Sequence, residues 1–463
     1  MIGARHGCRL EVSRIGFNPK DIAKEPVGSP TVAPGPRRDR ENPDMTSAIL
    51  RAPAEAGDCY AFLEWQSNEV TRSLVGFTGL ITPVPDNLSP AQWQSLVARY
   101  ATIKEWHSTT LELFSASLKG LVTPATAELF LREIPPYLAS YHREIVSSAP
   151  INTPMFFRTD EAALGKIVEV QSPGSLWGTY EQLQDYYREH GFSLGSDLSE
   201  KWATALAAEI GKPPIIHHFF NLFWASESYF AQKARRFVRY YGYDKGVRPL
   251  DCNFVRAHHY LMLVDEALFA RRRDAWAAGT LHYDVPPIAI YQQKVQMCLP
   301  FWPITRRFYS DAVRELFPYT TLVTAQGVLL EDGEEVSIAQ FCALPRRRRE
   351  YFLKYGGPDM SRNWGAMAVY NLAKLSQRAC FELLERVVRE PGYWIIQRAC
   401  TQSCEVEYLE RDLSVARLKV HPKYSCFYGP SGLLGVLNMY ETFYKVHGST
   451  ETIMTVATTT EGD

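Results

Sequence analysis

A mixed fold, α/β or α+β, opening on a helical section, is what this sequence predicts, and three observations predict it. Between residues 54 and 150 the apolar positions recur with a period near 3.6. From residue 213 onward, short apolar runs alternate with helical stretches. Between them, residues 155–171 read as two short strands joined by a tight turn.

Residues 1–44 stand apart. Six prolines and the charged run at 37–41 leave no period there, so a disordered arm is expected, or sequence upstream of a start at Met45. Its acidic residues argue against a transit peptide. Ser89-Pro90 is an N-cap followed by proline at the first helical position, and Trp93, Leu96, Val97, Tyr100 and Ile103 continue the period. Thr123-Pro124 repeats the signal, and Pro135-Pro136 must break or kink the helix it starts. A helix over 176–190 is expected behind the hairpin. Next come a buried strand at 213–220, a helix at 226–241, extended chain at 247–255, a helix at 260–277, and an apolar strand at 288–290 before another helix. Beyond 320, strands are expected at 352–354, 394–397, 415–420 and 433–437, with one helix over about 366–388.

Composition narrows the function. The chain has 463 residues and a formal net charge of −1, enough for two or three domains and without the basicity nucleic-acid binding asks for. No window approaches the roughly 18 apolar residues of a membrane helix, so no membrane partner is expected and the cytoplasm is the default location. Nine scattered cysteines, with no Cys-x-x-Cys, read as reduced core thiols. Phosphate-loop, dinucleotide, zincin and nucleophile-elbow signatures are all missing. The pairs His217-His218 and His258-His259 point opposite ways along a strand and do not suit one metal. The run 346–349 of four arginines reads as a solvated loop or helix end.

The hairpin is the candidate site. Glu169 and Gln171 stand two apart in the second strand, hence on one face. Asp160 and Arg158, across the turn, can share that face. A Glu-x-Gln strand end is also a common solvated pattern. As a ligand set, two carboxylates and an amide oxygen suit hard Mg²⁺, and arginine suits phosphate. Downstream, Lys354 leaves an apolar strand into Tyr355-Gly356-Gly357, a glycine turn able to cover a triphosphate. Lys294 follows Tyr291-Gln292-Gln293 as a second phosphate contact or a base contact, and Gln397 ends a strand able to meet a purine edge.

In this order the motifs resemble the ATP-grasp ligases, in the circularly permuted form of glutathionylspermidine synthetase (its synthetase domain only). There an Arg-x-Asp, turn, Glu-x-Asn strand pair precedes the nucleotide lysines; this chain has Gln171 in place of Asn, and no cysteine-dependent amidase domain precedes the ligase. The resemblance covers roughly residues 150–450. It implies an α+β, ATP-grasp-like fold with a helical section at 45–150, a metal- and substrate-binding region at 151–320 and a nucleotide-binding region at 321–463. It implies ATP and Mg²⁺, with Asp160, Glu169 and Gln171 on the metal, Lys294, Lys354 and Gln397 on the nucleotide, and Arg158 catalytic. A small-molecule carboxylate would be phosphorylated and then attacked by an amine or another nucleophile, while a loop at 355–365 closes as a lid. A kinase-like or inactive nucleotide binder, and a non-enzymatic helical interaction protein, are the alternatives.

Overall fold

Serine 89 starts the first long helix by a reciprocal cap. Its hydroxyl accepts from the Gln92 backbone N–H at 3.3 Å, while its own N–H donates to the Gln92 side chain at 2.9 Å. In the computed structural model, residues 80–134, 136–148, 153–172, 175–218, 225–241, 252–256, 274–286, 288–359, 362, 368–410, 414–443 and 452–459 are described. The expected arm at 1–44, most of the 260–277 helix and positions 363–367 lie outside them.

The chain begins with strands β1 (Leu80–Ile81) and β2 (Asp86–Leu88), then helices α1 (Pro90–Leu118), α2 (Ala125–Leu131) and α3 (Pro136–Ser148). Pro136 opens α3 at the first helical position, where its missing N–H would have no partner in any case. The hairpin follows as β3 (Phe157–Ala163) and β4 (Lys166–Gln171), backed by α4 (Trp177–Glu189) and α5 (Leu198–Ile210). Gly165 makes the hairpin turn at φ +103°, a region that disfavours any side chain. Strand β5 (Ile215–His218), helix α6 (Ala225–Ala234) and strands β6 (Arg239–Tyr241), β7 (Phe254–Arg256) and β8 (His282–Tyr283) come next. After α7 (Asp311–Leu316) the chain forms β9 (Thr320–Thr324), β10 (Gly327–Leu329), β11 (Glu335–Val336), α8 (Ile338–Ala343), β12 (Tyr351–Tyr355) and β13 (Val369–Asn371). It closes with α9 (Gln377–Arg389), β14 (Trp394–Arg398), β15 (Cys404–Leu409), β16 (Val415–Gly429), β17 (Gly432–Glu441) and β18 (Ile453–Thr459).

These strands make three sheets, so the described chain is mixed α+β. The first runs β1-β18-β17-β16-β3-β4, with β15 beside β16 and β2 beside β18. The second is the antiparallel order β11-β10-β9-β14-β12-β13. The third, β6-β5-β7-β8, is parallel. Alternation gives the first sheet two apolar faces. Phe157, Ile167, Cys426 and Tyr428 pack into one core with Leu96, Ile103 and Trp106 of α1. Phe156, Phe427, Leu437 and Met454 pack into another with Trp177 of α4 and Trp202 of α5. A third core joins the second sheet to α8 and α9. Among the described residues no helix is long and apolar enough to cross a membrane.

Three local expectations change. The helix expected at 226–241 stops at Ala234, because β-forming Arg239-Tyr240-Tyr241 pairs with Ile215-Ile216-His217 instead. The helix expected over 366–388 shortens: Val369–Asn371 pairs with β12, and the Ser376 hydroxyl caps a helix that starts only at Gln377. The strand and helix expected around Lys294 are successive 3-10 turns, Ala289–Gln292 and Lys294–Cys298. The arginine run is a 3-10 turn in which Arg349 is buried, donating to the carbonyls of Leu344, Leu372 and Leu375.

Candidate functional site

The hairpin register sets the site. Arg158 lies opposite Gln171, and Asp160 opposite Glu169. The next pair is Glu161 with Ile167, so Val168 is an extra residue, a β-bulge. The bulge has two effects. It sends Ile167 into the α1-side core while Glu169 keeps company with Asp160. It also frees the Val168 carbonyl, which accepts the Lys354 ammonium at 2.9 Å. Lys354 belongs to β12 of the second sheet, so this bond crosses from one sheet to the other.

Lys354 is held on its other side by Gln397 of β14, whose Oε1 accepts from it at 2.6 Å. The Gln397 amide nitrogen donates to Thr320 Oγ1 at 3.1 Å and lies 3.8 Å from Met297 Sδ. Both ends of this buried amide are thus engaged inside the protein. Its side chain orients Lys354 here rather than facing an opening. Burial lowers the Lys354 pKa to about 8; the charge of Glu169 opposes that fall and Lys294 adds to it.

Lys294 pairs with Glu169 Oε1 at 3.0 Å. It opens a 3-10 turn tied to its neighbours at both ends: Val295 N–H donates to Gly356 O at 3.0 Å, and the Gln293 amide donates to Phe130 O at 2.9 Å. The turn therefore links α2 to the glycine loop after β12.

Arg158 is buried beneath this layer. It grips Asp160 with two bonds, Nε to Oδ1 at 2.9 Å and Nη2 to Oδ2 at 3.1 Å, and its Nη1 donates to the carbonyl and hydroxyl of Ser175. Four of the five guanidinium N–H groups are accounted for. Leu176, next in the chain, has φ 73°, the one non-glycine described residue in the left-handed region. That strained turn carries Ser175 back over Arg158.

Two further partners of Asp160 come from β16, where Ser425 lies opposite it. Ser425 Oγ donates to Oδ1 at 2.9 Å, and Lys423 Nζ lies 3.2 Å from Oδ2. Burial would raise the Asp160 pKa, but the charges of Arg158 and Lys423 and the bonds from Arg158 and Ser425 outweigh it and hold the carboxyl well below the usual range. Neither Lys423 nor Ser425 stood out as a site residue in the sequence. A signal was present: Arg417, Lys419 and Lys423 alternate along β16, the period of one strand face.

The seven sequence candidates thus form one connected group between the first and second sheets, with Ser175, Lys423 and Ser425 added. Four cations, Arg158, Lys294, Lys354 and Lys423, face two carboxylates, Asp160 and Glu169, which leaves two positive charges. Such a surplus between low-dielectric walls suits a polyanion. The oxygen donors of Asp160, Glu169 and Gln171 are the hard set that fits Mg²⁺. Glu169 has a second oxygen beyond its bond to Lys294, and among the described residues Gln171 Oε1 has a long 3.4 Å contact from Ser175. Asp160 differs: its four acceptor positions hold four donors, and the contact from Lys423 is the longest of them. The set fits a metal once Lys423 withdraws.

Beside this group lies a cavity of about 350 Å³, lined among others by Lys166, Tyr319, Arg398 and Cys400. Burial pushes the Cys400 thiol up, and the charge of Lys354 opposes that rise. The loop at 355–365 is described only at 355–359 and 362; there Arg362 and Tyr355 both bind Glu133, at 2.7 and 2.5 Å. A separate acidic cluster, Glu181, Asp185 and Asp197, is occupied by the protein's own cation: Lys233 Nζ lies 2.7 Å from Asp185 and 2.9 Å from Asp197. It ties α4 to α6.

No family model matches this chain, and no curated protein matches it. Among solved structures, it is similar to a glutathione synthetase-like effector from Globodera pallida in its apo form. The two are 11% identical, the match covers 81% of this chain and 89% of that one, and the TM-score is 0.47.

Proposed function

We propose that this protein is an ATP-dependent ligase of the circularly permuted ATP-grasp type, joining a carboxylate to an amine or another nucleophile through an acyl phosphate. The observation that carries the reading is the convergence of Arg158, Asp160, Glu169, Gln171, Lys294, Lys354 and Gln397 in one largely buried group with a surplus of positive charge. These residues span 240 positions of the chain.

The chemical difficulty is that a carboxylate must approach a triphosphate. Lys294 and Lys354 neutralise phosphate oxygens, and Gln397 holds the Lys354 ammonium in place beside the Val168 carbonyl. Arg158 fixes Asp160 and offers its remaining N–H to the transferring group. Mg²⁺, held by Glu169, Gln171 and Asp160, would supply charge neutralisation across the phosphates. The carboxylate oxygen attacks the terminal phosphorus, the bond to the bridging oxygen breaks, and ADP leaves. The nucleophile then attacks the acyl carbon, orthophosphate leaves, and an amine gives up a proton. The glycine loop after Tyr355 keeps water from the acyl phosphate.

Saturation of Asp160 by four donors favours a second reading, in which the cleft binds nucleotide without transferring phosphate. Thermal melts with ATP and Mg²⁺, followed by a screen of carboxylate and amine pairs for ADP and orthophosphate, separate the two. The ligase reading expects stabilisation by nucleotide, and release of both products only with a substrate pair. Glu169→Ala is expected to abolish turnover with the fold intact. A folded protein that no nucleotide stabilises refutes both readings, and wild-type turnover in Glu169→Ala refutes the site.

A further inference from the structure

We propose that Lys423 is a resident cation of the metal site, holding one coordination position of Asp160 until a divalent ion displaces it. This rests on the ligase reading of the cleft. Asp160 accepts from Arg158 twice, from Ser425 once and from Lys423 once. Arg158 cannot leave without abandoning Ser175, to which the same guanidinium is bonded. Ser425 is a short side chain on the central strand β16, fully buried. Lys423 alone reaches Asp160 on a long flexible stem, from a position with 12% side-chain exposure, and its 3.2 Å contact is the longest of the four.

The arrangement solves an electrostatic problem. A buried carboxylate facing an empty metal position is costly unless a cation stands nearby. Arg158 is one such cation and stays fixed; Lys423 is a second in the metal-free protein. When Mg²⁺ enters with the nucleotide, the ammonium gives up Oδ2 and turns to the phosphate oxygens the ion brings. The ammonium then has an anionic partner in both states. Lysine suits this exchange better than arginine, being a point charge on a flexible chain rather than a fixed planar fork.

The test uses the full chain, with Mn²⁺ alone as probe, in wild type, Lys423→Met and Glu169→Ala. Free Mn²⁺ is read by electron paramagnetic resonance. Lys423→Met is expected to bind Mn²⁺ about tenfold more tightly than wild type, the worth of one displaced charge-assisted bond. Loss of any nearby cation also favours a metal, so a second measurement isolates the displacement. Labelling of wild-type Lys423 by an acylating reagent, read by mass spectrometry, is expected to rise several-fold when Mn²⁺ is added, and not to rise in Glu169→Ala. Glu169-dependent Mn²⁺ binding with no change in Lys423 labelling overturns the exchange while leaving the metal site standing. No Mn²⁺ binding by wild type or Lys423→Met overturns the metal site itself, and the exchange with it. Should Lys423→Met fail to fold, the labelling of wild type alone decides.

Discussion

Lys354 makes the charge of the cleft measurable through protons. Its pKa falls from the ordinary 10.5 to about 8, chiefly by burial. A triphosphate oxygen placed beside the ammonium favours the charged form again, so ligand binding must draw in protons wherever the free lysine is partly neutral. At pH 8 half of the molecules are neutral and binding takes up about 0.5 proton; at pH 6.5 the figure is only about 0.03. Between pH 8 and 9 the apparent affinity falls about fivefold, as the charged fraction shrinks. Titration calorimetry at pH 8 with Mg²⁺ and a non-hydrolysable triphosphate analogue, in buffers of different ionisation enthalpy, reads the uptake directly. Lys354→Met is expected to abolish it. The same shift sets a sign for stability: from pH 8 to 10.5 the unfolded chain binds more protons than the folded one, so this residue makes the fold gain stability as pH rises through that window. Binding heat independent of buffer at pH 8, with affinity intact, would refute the reasoning.

Other perturbations test the frame around the cleft. Arg158→Met strips Asp160 of two donors and leaves its charge buried, and is expected to cost roughly 3–5 kcal/mol in urea unfolding; a cost under about 1 kcal/mol, as for an exposed pair, would show that the pair is not buried in solution. Glu181, raised by burial from 4.5 to about 7, holds its proton longer in the folded state than in the unfolded one. Wild type should therefore lose stability as pH rises between those values, and Glu181→Gln should flatten that slope in thermal melts. An unchanged slope would remove Glu181 as its source. Gly392 sits at φ +101°, and a Cβ there would lie 2.1 Å from the Glu133 carboxylate. Gly392→Ala is expected to cost roughly 1–3 kcal/mol and to release Arg362 and Tyr355 from Glu133; a neutral melt would refute that packing.

What could be read from the sequence was what a strand's period of two encodes. Arg158-x-Asp160 and Glu169-x-Gln171 announce a shared face because neighbouring residues in one strand alternate. The bulge at Val168 carries no such mark, so the bond from Lys354 to its carbonyl was invisible. Lys423 and Ser425 were missed for a different reason: only the pairing of β16 with β3 makes them neighbours of Asp160, and no local pattern states which strands will pair. Gln397 was located as a strand end, but its engagement by Lys354, Thr320 and Met297 depends on three other segments. The helix ends at Ala234 and Gln377 were set by tertiary pairing and by the Ser376 cap, which overrode the longer apolar period.

The pairing of β16 with β3 also fixes when the site comes into being. The two groups that complete Asp160 lie 263 and 265 residues later in the chain. At a synthesis rate of roughly 5–20 residues per second, Asp160 waits about ten to fifty seconds for them. During that interval the hairpin has neither β16 beside it nor the full set of donors for its carboxylate. It must stay hydrated, with an unpaired strand edge exposed to other chains. Contacts of such sequence separation are slow to form in any case. Substitutions that weaken β16 should therefore lower the yield of soluble protein before they lower the activity of the molecules that do fold.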